Sequence, residues 1–364
     1  MQERTYKFGG HAIRVILEEP WAFKQMTEAQ QELVDKLRRG EDPRIKPVPA
    51  DKQEEMGIND GIMGKQLMTR ERWDAMTREE RIEYRHTLDF IQYAPFEVPA
   101  EEPLFTFRVQ SEEPEWLQKV EESGAWEQVV AVDEVPPFYY GYVHEGRTIY
   151  AFYPVRDICA GIFVMEPGYK EGTYYPKPRI GAAVTMMQVN TSLMIQYTFT
   201  TAPYSTLLLH ASVTRYKGEA NLFFGVSGTG KSTHSRLWLE HVEGTDLMND
   251  DNPVVRFEDG RLMVYGSPWS GKTTCYRNVK APVRALVRLE QAPVNRAERL
   301  LALQAYASVV AAVSTIRWNH SIMDHLIPTI EKVAMEVPCF RLECRPDEEA
   351  VRVSFNAINS VSNA

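Results

Sequence analysis

Hydrophobic and polar residues alternate with a period close to two through residues 6–17, where Phe8, Ile13, Val15 and Leu17 are apolar. That spacing predicts a strand, and Gly9-Gly10 marks a turn or bulge within it. The period then lengthens to that of a helix. Thr27-Glu28-Ala29-Gln30 has the form of a capping box, with Ala29, Leu33 and Leu37 on one face until Arg38-Arg39-Gly40 closes the element. A second box, Thr77 with Glu80, opens a helix expected to carry Ile82, Leu88 and Ile91 as far as Pro95. Residues 41–66, dense in proline, glycine and charge, read as a long surface loop between the two.

Beyond Pro103 the pattern returns to strands, over residues 104–109, 129–132, 138–143, 148–153 and 158–165, with Glu145-Gly146 as a hairpin turn. Residues 181–199 hold Met186, Met187, Leu193, Met194 and Tyr197, a stripe that belongs to a core rather than to a cofactor. Two later hairpins are more informative. Residues 207–216 and 220–224 flank Lys217-Gly218-Glu219, and with Gly218 at the tip His210 falls opposite Val226. Residues 254–257 and 261–265 flank Glu258-Asp259-Gly260, which returns Gly266 beside Asn252. A strand over 283–289, a helix over 299–316, a helix capped by Asn319 and a terminal strand with a short helix or strand complete the chain. The expected organisation is an α+β region over residues 1–200, helical in 1–100 and strand-rich in 101–200, followed by an α/β domain with a mixed sheet over 201–364.

Composition narrows the function classes. A chain of 364 residues has room for two domains, and 25% charged residues with 44% hydrophobic ones describe a soluble globular protein. A net charge of −9 argues against a nucleic-acid or anionic-membrane binder, which needs a basic face. No run approaches the ~18 apolar residues of a membrane span, and the N-terminus lacks a signal peptide's apolar core, so a cytoplasmic protein with no membrane partner is expected. Cys159, Cys275, Cys339 and Cys344 have neither metal-site spacing nor disulfide density and read as free thiols. Oligomeric state leaves no mark in the pattern.

The candidate chemistry lies in the second half. Gly225, four residues, then Gly230-Lys231-Ser232 fit the P-loop pattern, with an apolar run over 222–224 before it and a helical pattern over 234–242 after it. Glycines let such a loop turn its backbone N–H groups inward around phosphate oxygens. Lys231 would reach the terminal phosphates and Ser232 would ligate Mg²⁺, with Gly225, Ser227, Gly228, Thr229, Gly230 and Thr233 completing the cradle. A helix of ~11 residues runs ~16 Å, and the strand after Gly244 runs back a similar distance, so Asp250 and Asp251 should emerge at the same sheet edge. The pattern recurs as Gly266-Ser267-Pro268-Trp269-Ser270-Gly271-Lys272-Thr273, but Pro282 leaves little room for a following helix. Lys272 is therefore expected as a cation near the transferred phosphate or the acceptor, with a purely structural loop as the alternative, rather than as part of a second nucleotide site.

The order His210, Gly225 to Thr233, Asp250-Asp251 resembles the C-terminal catalytic domain of HPr kinase/phosphorylase, whose fold is shared with phosphoenolpyruvate carboxykinase. Residues 227–238, 249–253 and 266–272 are also similar to bacterial HPr-kinase-related and carboxykinase-like proteins. The resemblance implies that His210 and Asp250 act as an acid/base pair on a serine hydroxyl, and that Asp251 and Ser232 hold metal. After Asp251 the chain departs from HPr kinases proper, so neither phosphorylase activity nor HPr as acceptor is implied. The expected activity is an ATP- and Mg²⁺-dependent kinase acting on a hydroxyl of a protein, peptide or small molecule. Alternatives are a nucleotide-binding regulatory module without transfer chemistry and a carboxykinase-like enzyme.

Overall fold

The computed structural model describes residues 1–41, 75–132, 138–178, 180–271, 273, 275–314 and 319–361. It divides into two units, Met1–Thr27 with Gln66–Thr200 and Glu28–Lys65 with Thr201–Ala364. Both mix helices and strands, so the architecture is α/β.

In chain order the first elements are strands β1 (Gln2–Phe8), β2 (His11–Leu17) and β3 (Ala22–Phe23), then helix α1 (Glu28–Arg38), which groups with the second unit. Helix α2 (Arg78–His86) comes next, with the Thr77–Glu80 capping box formed in both directions. It ends at His86 rather than at Pro95, because Thr87 turns extended and Thr87–Leu88 (β4) pairs with β3. The remaining elements of the first unit are β5 (Glu97–Val98), β6 (Phe105–Val109), α3 (Glu115–Ser123), β7 (Glu127–Val132), β8 (Phe138–His144), β9 (Arg147–Tyr153), β10 (Gly161–Met165), β11 (Glu171–Pro176) and α4 (Ala182–Thr201). Residues 1–100, expected as the helical part, thus also contribute five strands among the described residues.

Nine strands form one sheet in the order β5-β1-β2-β6-β11-β10-β9-β8-β7. Helix α4 packs on it through Met186, Leu193 and Tyr197, and the Tyr197 ring stacks on Phe8 with centroids 4.9 Å apart. The methionine stripe is therefore core at Met186, whereas Met187 is exposed. Helix α3 contributes Leu117 to a separate cluster with Ile149, Ile162 and Val164.

The second unit continues with β12 (Thr206–Leu208), β13 (Ala211–Tyr216), β14 (Glu219–Phe224), α5 (Lys231–His241), β15 (Asp246–Asp251), β16 (Val254–Glu258), β17 (Arg261–Tyr265), β18 (Lys280–Gln291), β19 (Arg296–Arg299), α6 (Ala302–Ala312), α7 (His320–Glu336), β20 (Cys339–Cys344) and α8 (Glu348–Asn359). Its sheet runs β12-β16-β17-β18-β14-β13-β15, with β20 beside β18 and β19 beside β20. The long strand β18 is parallel to β14 on one side, and on the other it meets β17 with its first three residues and β20 with its last six. The hairpins close through two-residue turns, Lys217-Gly218 and Asp259-Gly260, in which both residues have positive φ, the geometry that matches strand twist.

Helices α5 and α8 cover the parallel core: Leu237, Trp238 and Val351 cluster with Phe223, Leu289, Phe340 and Leu342 of the strands. A buried polar latch joins the two helices: Trp238 Nε1 donates to Ser354 Oγ at 3.0 Å, and His234 Nε2 lies 3.1 Å from the same oxygen. Strand β15 forms the sheet edge, and the segment after β17 runs along it. Gly266 N donates to Val279 O at 2.9 Å, and the Arg277 guanidinium reaches Leu247 O. Arg277, 1% exposed, also donates to Asp246 Oδ2 at 2.9 Å and to Glu41 O at 3.0 Å. This is why α1 belongs here: the carbonyls at its C-terminal exit satisfy a buried guanidinium of this unit.

Candidate active site

Strand β14 runs into the glycine-rich loop. Gly225 has φ +156°, and a Cβ there would sit 2.8 Å from Leu289 O, so β18 presses on this position too closely for a side chain. The loop holds its shape through its own hydrogen bonds, Thr229 N to Val226 O at 3.1 Å and Thr229 Oγ1 to the same carbonyl at 2.7 Å. Gln291 Nε2 fixes its tip by donating to Gly228 O at 3.1 Å. Helix α5 starts at Lys231 behind Gly230, which has no side chain to cap the first-turn N–H groups. Lys231 Nζ donates to Gly225 O at 3.2 Å across the loop mouth. Burial lowers its pKa, and the Asp251 and Asp250 carboxylates oppose that shift. Ser227 and Gly228 are exposed and Thr229 is half-buried, and Thr233 comes after Ser232 in the first turn.

The two aspartates at the end of β15 diverge. Alternate residues of a strand face opposite ways, so neighbours in sequence meet different partners. Asp250 is 5% exposed, and among the described residues neither of its carboxylate oxygens makes a well-formed hydrogen bond, although three hydroxyls lie close to it. Burial raises its pKa; the hydroxyls of Ser212, Thr273 and Ser232 around it pull the other way, and Asp251 adds to the rise. Asp251 is half-exposed, and its Oδ1 lies 3.1 Å from His210 Nδ1. The structure thus brings together His210, Lys231, Ser232, Asp250 and Asp251, but with the pairing of the acids reversed from that implied by the resemblance. Asp250 stands against Ser232, and Asp251 against His210.

The convergence of the second glycine-lysine loop is also present. Asn252 N donates to Trp269 O at 3.1 Å, and Ser267 Oγ donates to Asn252 O at 2.6 Å. Asn249 Nδ2 donates to Ser267 Oγ at 3.1 Å and to Trp269 O at 3.2 Å, while Asn249 Oδ1 accepts from Asp251 N at 3.0 Å. A Cβ on Gly271 would lie 2.9 Å from Asp250 O, so this glycine permits the close approach of loop and strand. No helix succeeds this loop: residues 275–279 are irregular and β18 begins at Lys280. Lys272 lies outside the described residues.

In the β13–β14 hairpin Ala211 faces Phe224, which puts His210 level with Gly225, one residue from the expected Val226. In the β16–β17 hairpin Val254 faces Tyr265, so Gly266 continues opposite Pro253 rather than Asn252. Reading by motif passed over Ser212, Asn249 and the hydroxyl of Thr273. Ser212 had a visible sign: a hydroxyl residue two after His210 at the start of the strand, which the structure pairs in register with Asp250.

Among the described residues no group of three or more His, Cys, Asp or Glu side chains is placed to hold a metal, and no helix is long and apolar enough to cross a membrane. All four cysteines are free thiols. Comparison with protein-family models and with curated proteins returns no match.

Proposed function

We propose that the second unit is a phosphotransferase of the HPr kinase/carboxykinase type that binds ATP with Mg²⁺ in the glycine-rich loop and transfers the terminal phosphoryl group to an acceptor hydroxyl. The observation that carries this reading is Asp250: a buried carboxylate that makes no well-formed hydrogen bond and is lined by the hydroxyls of Ser212, Thr273 and Ser232 at the mouth of a strand-loop-helix turn. Burying an unmatched carboxylate is costly, so such a group persists where a cation arrives to meet it. Magnesium fits this donor set without a cage of three acids, because it keeps several waters and takes substrate phosphates as ligands. Asp250 and Ser232 would hold it, and bound there it would neutralise charge on the phosphate oxygens.

The chain's own residues supply the remaining parts. Backbone N–H groups of the loop and the uncapped start of α5 bind phosphate oxygens, and Lys231 exchanges its contact with Gly225 O for the terminal phosphate. Asp251 accepts from His210 Nδ1–H, which leaves Nε2 as the proton acceptor. The acceptor oxygen then forms its bond to the γ-phosphorus as the bond to the β-γ bridging oxygen breaks. The hydroxyl proton goes to His210 Nε2, and ADP leaves.

Incubation with γ-labelled ATP, Mg²⁺ and a library of serine-containing peptides and small hydroxyl compounds tests this reading. Label should move to an acceptor in the wild type and fall by roughly 10²- to 10⁴-fold in His210→Ala, the usual range for a lost base. Nucleotide bound without label on any acceptor points to a regulatory module, and oxaloacetate-dependent ATP consumption to a carboxykinase. Asp250→Asn gives a second readout that needs no acceptor. It should raise the stability of the nucleotide-free protein, by about 1–3 kcal/mol, while weakening Mg·ATP binding.

A further inference from the structure

The His210–Asp251 pair continues into a chain of polar groups that ends at Ser314, just after helix α6. Asn252 Nδ2 donates to Asp251 Oδ2 at 2.9 Å, and Ser314 Oγ donates to Asn252 Oδ1 at 2.6 Å. Asn252 is 8% exposed, and its backbone is held on both sides by Ser267 and Trp269.

The direction of every proton in this chain is set by Asp251. An ionised carboxylate only accepts, so its Oδ2 requires the amide N–H₂ of Asn252. The Asn252 carbonyl oxygen then faces Ser314, whose hydroxyl must donate. On the other carboxylate oxygen the same rule requires a proton on His210 Nδ1. Both ends of the chain also ride on one piece of backbone. His210 N donates to Ala312 O at 2.7 Å, Ser314 N donates to Leu208 O at 2.9 Å, and Leu209 bridges Val313. Ser314, at the exit of α6, is thereby tied in register to the strand that carries His210.

We propose that Asn252 and Ser314 are positioning residues that hold Asp251 in the orientation that keeps His210 as its Nδ1–H tautomer, with Nε2 free to take a proton. The catalytic meaning of this relay rests on the phosphotransferase reading, but the tautomer itself does not. The contacts of both residues are with protein groups. Their effect reaches the reaction only through the imidazole.

The test is ¹⁵N-histidine spectroscopy of the full-length protein without nucleotide, at a pH where His210 is neutral. Of the eight histidines, the signal absent from His210→Gln identifies the one in question. The wild type should show a protonated Nδ1 and an unprotonated Nε2. Asn252→Leu and, to a smaller extent, Ser314→Ala should move both nitrogens toward the average of the two tautomers, while Ser314→Thr keeps the wild-type pattern. Ser314→Ala, at the partly exposed end, keeps the proposal testable if Asn252→Leu does not fold. An Nε2–H tautomer in the wild type, or no change in a folded Ser314→Ala, overturns the relay. In transfer assays Ser314→Ala should lower kcat roughly ten-fold with an unchanged KM for ATP. An unchanged kcat beside a shifted tautomer, or no transfer by the wild type, counts against the catalytic reading and leaves the tautomer relay standing.

Discussion

Two loops in this chain carry glycine, lysine and a hydroxyl residue in succession, Gly230-Lys231-Ser232 and Gly271-Lys272-Thr273. After the first, the chain enters α5, whose buried Trp238 and His234 anchor to Ser354 and aim the start of the helix at the loop. After the second, residues 275–279 lie along the edge of β15, and buried Arg277 grips Asp246, Leu247 O and the end of α1. Matching short patterns thus do different work according to the segment each one leads into. A helix start offers free N–H groups to an anion, whereas an irregular segment against a strand edge spends its polar groups on that strand. On the proposed reading the first loop receives phosphate, while Ser267, Trp269 and Gly271 of the second pack against the strand end that carries the two aspartates.

Substitutions that separate binding from stability sharpen this contrast. Lys231→Ala should reduce nucleotide affinity and turnover by roughly a hundred-fold or more with little change in the thermal midpoint of the free protein. Arg277→Met, at the second segment, should do the reverse. Removing a buried partner of Asp246 and of the Gly40, Glu41 and Leu247 carbonyls should destabilise the unit by about 3–5 kcal/mol in denaturant titrations, with nucleotide affinity unchanged in the folded fraction. Arg277→Met that lost affinity without losing stability would break the comparison.

A pH dependence belongs to the first side. Burial lowers the His234 pKa to about 4, against an ordinary 6.5, and Trp238 Nε1–H points at Nε2 from 3.2 Å. The folded pKa is below the unfolded one, so between the two values the unfolded chain binds more protons. Stability is lost as pH falls from 6.5 to about 4, by about 3 kcal/mol, and the loss is complete below both values. Denaturation midpoints of His234→Gln should lack this slope. Ser267→Ala is the mildest of the set: losing the hydroxyl shared by Asn252 O and Asn249 should cost about 1–2 kcal/mol, read from the same titrations.

What could be read from the chain was whatever is local. Turn residues located both informative hairpins, and the glycine spacing located the loop, because those conformations are dictated within a few residues. The registers missed by one position, since Lys217-Gly218 and Asp259-Gly260 each make a two-residue turn. The end of α2 was illegible because a pairing with the distant Ala22–Phe23 decides it. So was the placement of α1, which depends on Arg277, a residue far along the chain. The division of labour between Asp250 and Asp251 was open to view in principle. Strand alternation alone requires two adjacent acids to face different neighbours, and only the identity of those neighbours needed the fold.

The central claim is that Asp250 serves the metal and Asp251 the histidine, and calorimetric titration of ATP with and without Mg²⁺, on the wild type, Asp250→Asn and Asp251→Asn, addresses it most directly. The expected result is that Asp250→Asn loses the gain in affinity that Mg²⁺ confers, while Asp251→Asn keeps that gain and binds like the wild type. If Asp251→Asn loses the Mg²⁺ effect and Asp250→Asn retains it, the assignment is contradicted and the roles run as the family resemblance has them.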